Sequence, residues 1–128
     1  MERRNISTGT PWERIAGYSR AVRIGPFVCV SGTTASDENG NLVGDDDPYA
    51  QTVQILNTIE AVLAEAGASL QDVIRTRIYV ADFNDWREVS RAHAERFGTI
   101  RPANTLIQAG ALVDGRLVEI EADAIVAE

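Results

Sequence analysis

The sequence predicts an α+β fold: a mixed β-sheet with two helices packed on one face, in the order β-β-α-β-α-β-β. Three observations carry this expectation. Segments rich in β-branched and aromatic residues occupy both ends of the chain and a central stretch, and two amphipathic stripes of helical period separate them. No repeat, Pro-rich linker or low-complexity stretch divides residues 1–128, so they read as a single domain. A chain of this length buries roughly two thirds of its unfolded surface on folding, enough for one core without staples.

The elements follow in order. Tyr18 to Ile24 and Phe27 to Ser31 read as strands joined at the turn Gly25-Pro26, with room for a further short strand at the amino terminus. Ser36 to Asp47 is polar and contains Asn39-Gly40, a loop. Asp47-Pro48 then opens a helix, because the Asp side chain caps free amides and Pro has no donor to waste at the first position. Gly67 ends that helix, and Val53, Leu56, Ile59, Leu63 and Ala66 form its apolar stripe. Val73 to Val80 is the next strand. Asp85 and Glu88 have capping-box spacing at the start of a second helix, whose inner face carries Trp86, Val89, His93 and Phe97. Ala103 to Ala109 and Leu117 to Val126 are the last strands, expected to pair as a hairpin around Asp114-Gly115. Helices on one face leave the other bare, which predicts a homo-oligomer.

Composition narrows the function. The formal net charge is −7, with the acids scattered and no block of Lys or Arg, which argues against nucleic acid as a partner. His93 is the sole histidine, so the chain lacks the two-imidazole acid–base pair that many ribonucleases use, a further argument against a nuclease, although carboxylates can substitute for imidazoles. Cys29 is the sole cysteine, which forbids an internal disulfide and suits a reducing compartment. Met1-Glu2-Arg3-Arg4-Asn5 is charged and leads into no apolar run, so neither a secretory signal nor a membrane span is expected and the cytoplasm is.

The candidate sites each have a structural alternative. Asp45-Asp46-Asp47 has the oxygens a hard cation prefers, but negative charge ahead of a helix is favoured by the dipole, and that is the expected role. Cys29, inside Phe27-Val28-Cys29-Val30, is expected to be a small buried hydrophobe. His93 lies on an apolar stripe with no second metal ligand at suitable spacing, and is expected to pack. Glu119 and Glu121 alternate with Val118 and Ile120, so both carboxylates leave one face of an apolar strand. Either their repulsion raises one pKa into a range useful for proton transfer, or they are solvated or paired with Arg75 or Arg77. No phosphate loop, zinc spacing or serine elbow is present.

Gly17-Tyr18-Ser19-Arg20-Ala21-Val22, Val30-Ser31-Gly32, Ala66-Gly67-Ala68-Ser69-Leu70, Val80-Ala81-Asp82-Phe83-Asn84-Asp85-Trp86, Arg101-Pro102-Ala103 and Val118-Glu119-Ile120-Glu121-Ala122 together resemble the reactive intermediate deaminase (RidA or YjgF) family, nearly end to end. The resemblance implies a chorismate-mutase-like fold and a homotrimer with ligand clefts between subunits. It also implies hydrolysis of enamines or imines to a keto acid and ammonia, without metal or cofactor. The matching cleft positions are Tyr18, Ser31 and Asn104, which would bind the ligand, and Glu119, which would position or activate water. Asn104 stands where deaminating members carry the arginine that holds the substrate carboxylate. Leu106 replaces a cleft cysteine, and Ser90 an asparagine of the second helix. Losing a charge-assisted two-pronged grip costs about 2–5 kcal/mol, so an atypical substrate is expected. Arg20, two residues after Tyr18 and so on the same face of a regular strand, is a candidate replacement cation; Arg101, before Pro102 at a loop exit, is expected to face solvent. The alternative is a non-catalytic metabolite-binding or regulatory trimer, with a ribonuclease or translation-inhibitor role least in keeping with the acidic balance.

Overall fold

The computed structural model describes residues 1–127. It contains β1 (Arg3–Ile6), α1 (Pro11–Ala16), β2 (Ala21–Ile24), β3 (Phe27–Thr34), α2 (Pro48–Glu65), β4 (Val73–Val80), α3 (Trp86–Phe97), β5 (Ala103–Gln108) and β6 (Val118–Ile125). The strands form one six-stranded sheet in the order β1-β2-β3-β6-β4-β5. β5 pairs with β4 in parallel, and every other pairing is antiparallel. This is the expected mixed sheet, with the extra amino-terminal strand present.

Alternation builds the core. Val28 and Val30 of β3, Thr76, Ile78 and Val80 of β4, and Val118, Ile120, Ala122 and Ala124 of β6 are buried against Ile55, Leu56, Ile59, Val62 and Leu63 of α2 and Val89 and Phe97 of α3. Gln51 ties the start of α2 to the sheet: its amide donates to Gly44 O, and its carbonyl accepts from the Leu117 amide. As expected, the Asp47 carboxylate accepts from the Ala50 amide and caps α2.

Several local expectations are corrected. β5 and β6 do not form a hairpin. Asp114 and Gly115 do adopt left-handed turn geometry (φ 47° and 67°), but β6 inserts between β3 and β4. The strand expected from Tyr18 begins only at Ala21, and the Phe27 strand runs on to Thr34. Asp85 caps nothing with its side chain; Asp82 accepts from the Asn84 amide one turn earlier, at a short 3₁₀ turn leading into α3. Cys29 is exposed rather than buried, because it leaves the face of β3 opposite the helices.

α1 is an element that the apolar periodicity does not predict. Thr10-Pro11 opens it, and Gly17 closes it in the left-handed region at φ 75°. Its buried Glu13 accepts from the hydroxyls of Ser7 (2.7 Å), Thr8 (2.8 Å) and Thr10 (3.0 Å). Burial alone would raise the Glu13 pKa, but these donors outweigh it and hold the carboxyl below its ordinary range. The clamp fixes the chain that leads into Tyr18.

Candidate active site

The face of the sheet away from the helices carries Phe27 and Cys29 of β3, Arg77 and Tyr79 of β4, and Glu119, Glu121 and Asp123 of β6. Charged and polar groups here pair across strands. Arg77 meets Asp123 at 3.1 Å, and the Tyr79 hydroxyl donates to Glu121 at 2.6 Å. Glu121 is thus held by a tyrosine rather than by Arg75 or Arg77.

Glu119 has a different setting. In β3 Val30 and Thr33 are both buried although three residues apart, where strict alternation would bury residues two apart. A bulge at Ser31-Gly32 absorbs the extra residue and turns Gly32 toward β6. A side chain there would collide with Glu119: a Cβ on Gly32 would lie 2.1 Å from its Oε2. The carboxylate therefore rests on bare backbone. Burial pushes the Glu119 carboxyl above its ordinary range, Arg20 pulls it back, and the Glu121 charge pushes it up again, for a net rise.

Arg20 and Tyr18 stand beside this group. The Arg20 Nη2 donates to Gly32 O at 2.6 Å, and its guanidinium carbon lies 5.5 Å from the centre of the Tyr18 ring. The two are near each other as expected, but by a bend ahead of β2 rather than by alternation along it. Ser31 lies in the same bulge, where its hydroxyl donates to Ser19 O at 2.6 Å; what it offers a ligand is its oxygen as acceptor. Beyond Tyr18 and Ser19 an open cleft of about 470 Å³ continues past Ser7, Thr10, Glu13 and Arg14.

Asn104 does not join this group. It pairs with Thr76 on the parallel edge strand, and its side chain lies on the helix side, opposite to Glu119. Its amide donates to the Thr76 hydroxyl oxygen at 2.9 Å, and that oxygen is 2.9 Å from His93 Nε2. His93 packs on Phe97, ring centres 4.7 Å apart, and burial lowers its pKa. A second hollow of about 360 Å³ opens here between His93, Phe97, Arg101 and Pro102. Arg101 is exposed there, in the left-handed region at φ 57°. One chain therefore unites Tyr18, Arg20, Ser31 and Glu119 and leaves Asn104 on another surface. The sequence patterns assign no site role to Gly32 or Glu13. The odd spacing of Val30 and Thr33 and the Thr10-x-x-Glu13 capping pattern were the signals available for them.

Among the described residues no group of three or more His, Cys, Asp or Glu side chains is arranged to hold a metal, and no helix is long and apolar enough to cross a membrane.

Known proteins resemble this chain in sequence and fold. The sequence profile of the family described as endoribonuclease L-PSP matches residues 9–126. A Streptomyces coelicolor protein is 41% identical over 122 residues, covering 94% of this chain and 90% of its own. The 3-aminoacrylate deaminase RutC of Acinetobacter baylyi is 37% identical over 115 residues, 90% of each chain. Among solved structures, a Mycobacterium tuberculosis protein described as a member of the YjgF family superposes with a TM-score of 0.89 at 52% identity, covering 98% of this chain and 100% of its own. The YjgF gene product of E. coli gives 0.84 at 26% identity, over 95% and 98%.

Proposed function

The chain belongs to the reactive intermediate deaminase (RidA/YjgF) family, and from that premise we propose that it is a cytoplasmic small-molecule hydrolase acting on an imine, enamine or related electrophile. The observation that carries this reading is Glu119: a half-buried carboxyl with a raised pKa, seated on Gly32 beside Tyr18 and Arg20. Such a group accepts a proton from water more readily than an ordinary carboxylate does.

In the proposed reaction the water oxygen bonds to the imine carbon as Glu119 takes one of its protons. As the C=N pair moves onto nitrogen, Glu119 returns that proton there, giving a carbinolamine. Glu119 then carries the hydroxyl proton to the same nitrogen as the C–N bond breaks with its electrons leaving on nitrogen, the carbonyl forms, and ammonia departs. Tyr18 and Ser31 orient the ligand, and neither metal nor cofactor takes part.

We further propose a homotrimer in which Asn104 reaches the cleft from a neighbouring copy. Two features support this. Asn104 lies on an exposed edge strand, away from Glu119 of its own chain. The helix-free face leaves Phe27 (54%), Ile107 (48%) and Ile125 (38%) exposed, apolar side chains that a neighbouring copy would cover. Asn104 is a neutral donor where deaminating relatives have arginine, so the substrate is expected to be atypical.

Ammonia release from 3-aminoacrylate, 2-aminoacrylate and imines of several amino acids tests the reading, with Glu119→Gln as control. Removing the proton-transfer group is expected to lower the rate about 10²–10⁴-fold. Equal rates for the wild type, the variant and buffer on every substrate refute it. The non-catalytic reading draws on the bond that already ties the Asn104 amide to Thr76; ligand binding without turnover would favour it.

A further inference from the structure

Thr76 of β4, His93 of α3 and Asn104 of β5 meet at one hydroxyl. Thr76 is fully buried, so that hydroxyl has to be satisfied by protein. Asn104 Nδ2 donates to its oxygen at 2.9 Å and approaches Thr76 O at 3.5 Å. The hydroxyl hydrogen goes to His93 Nε2, 2.9 Å away. Both neighbours are thereby fixed in polarity. Nε2 accepts, so the neutral imidazole carries its proton on Nδ1, a donor. Nδ2 is committed to Thr76, so what Asn104 has left to offer is Oδ1, an acceptor. Neither Nδ1 nor Oδ1 has a hydrogen-bond partner among the described residues.

Beside this group lies the hollow of about 360 Å³, within the size range of small-molecule sites. Phe97 and Pro102 give it apolar walls, and Arg101, itself exposed, is the one charged side chain that lines it. α3 ends here, at Phe97, and the carbonyl end of a helix disfavours an anion. An apolar hollow with one fixed donor and one fixed acceptor suits a neutral molecule that offers one of each.

We infer that the hollow beside His93 and Asn104 binds a neutral amide or lactam, whose N–H is given to Asn104 Oδ1 and whose carbonyl accepts from His93 Nδ1. Thr76 is the positioning residue, since its single hydroxyl sets the polarity of both contacts. The binding groups come from one chain and stand apart from its Glu119, which leaves the other face of the sheet. Where a neighbouring copy sets its cleft against Asn104, the same polarity makes the group held there an amide rather than a carboxylate; that extension alone rests on the hydrolase reading.

NMR titration at pH 7.5, where burial keeps the His93 ring neutral, tests this with 2-pyrrolidone and with γ-butyrolactone, which has the same ring and carbonyl but no N–H. The wild type is expected to bind the lactam about fivefold more tightly, the ratio that one net hydrogen bond supplies, with the His93 ring nitrogens shifting on binding. Asn104→Leu removes Oδ1 and should bring the two probes within about twofold of each other. Thr76→Val should do the same, because it removes the hydroxyl and keeps His93 and Asn104. Thr76→Ser puts the hydroxyl back and should restore the ratio. Thermal unfolding reports that each variant is folded. A folded Asn104→Leu or Thr76→Val that keeps the wild-type ratio overturns the inference, as does a Thr76→Ser that behaves like the valine variant. So does a wild type that binds both probes alike, binds neither, or binds propionate more tightly than the lactam. A lactam preference that needs Asn104, in a protein that releases no ammonia, refutes the hydrolase reading alone. Ammonia release without a lactam preference refutes this inference alone.

Discussion

On β6, Val118, Ile120, Ala122 and Ala124 are buried under the helices, while Glu119, Glu121 and Asp123, each one residue along, share the opposite face with Arg77 and Tyr79. The same strand thus borders a dry core and a titratable surface. On the helix side the side chains serve stability through packing. On the other side Glu119 is held where ionising it works against the folded state, since a raised carboxyl pKa means that the native protein binds its proton more tightly than the unfolded chain does. A fold does not need such a group, which is why that face, and not the core, is where a function is sought.

The sharpest way to break this comparison is to cut into each face separately. Leu63 is fully buried on α2, and Leu63→Ala should cost about 2–5 kcal/mol, the loss of transfer energy plus a residual cavity. Urea unfolding measures it, and the Glu119 titration, followed by carboxyl-carbon NMR, should stay where it is. A large movement of that titration would mean that the two faces are coupled.

On the opposite face, Gly32→Ala places a methyl group in the space of the Glu119 carboxylate. The colliding atom is the end of a flexible side chain, so the expected stability loss is smaller, about 1 kcal/mol. The chemistry should change more than the fold: Glu119 must swing off its seat, its titration shifts, and any turnover that depends on it falls. An unchanged Glu119 titration in the folded variant would show that the bulge does not position this group.

How much of this was readable in advance follows from the range of each signal. Val73–Val80 was located to the residue, and Asp47, Pro48 and Gly67 bracket α2 as expected, because strand period and helix ends are encoded locally. The Asp114-Gly115 hairpin failed although its turn geometry is present, since strand partners are chosen by long-range packing and β6 finds two better neighbours. Within the site, alternation alone exposed Glu119. The bulge that seats it on Gly32 depends on the pairing of β3 with β6, which no local pattern states. Asn104 was grouped with Glu119 by resemblance, and only the sheet order and register reveal that the two leave opposite faces of one chain.

On the helix-side face the polar cluster of Thr76, His93 and Asn104 gives the smallest and most specific test. Asn104 donates to the Thr76 oxygen, which leaves the Thr76 hydroxyl hydrogen free to point at His93 Nε2, an acceptor only while the imidazole is neutral. Burial lowers the His93 pKa from its ordinary value of 6.5. Above that value both native and unfolded states hold the neutral ring, and His93 contributes no pH dependence. Below it the unfolded chain takes up a proton that the native state resists, so stability falls with decreasing pH until the lowered native value is reached, then levels. Urea midpoints between pH 7.5 and 5 should therefore decline in the wild type, and His93→Gln should flatten the part of that slope due to the imidazole while keeping a polar partner for Thr76. If the slopes of the two proteins coincide, His93 titrates as freely in the fold as out of it, and this edge of the helix-side face is as wet as the face that carries Glu119.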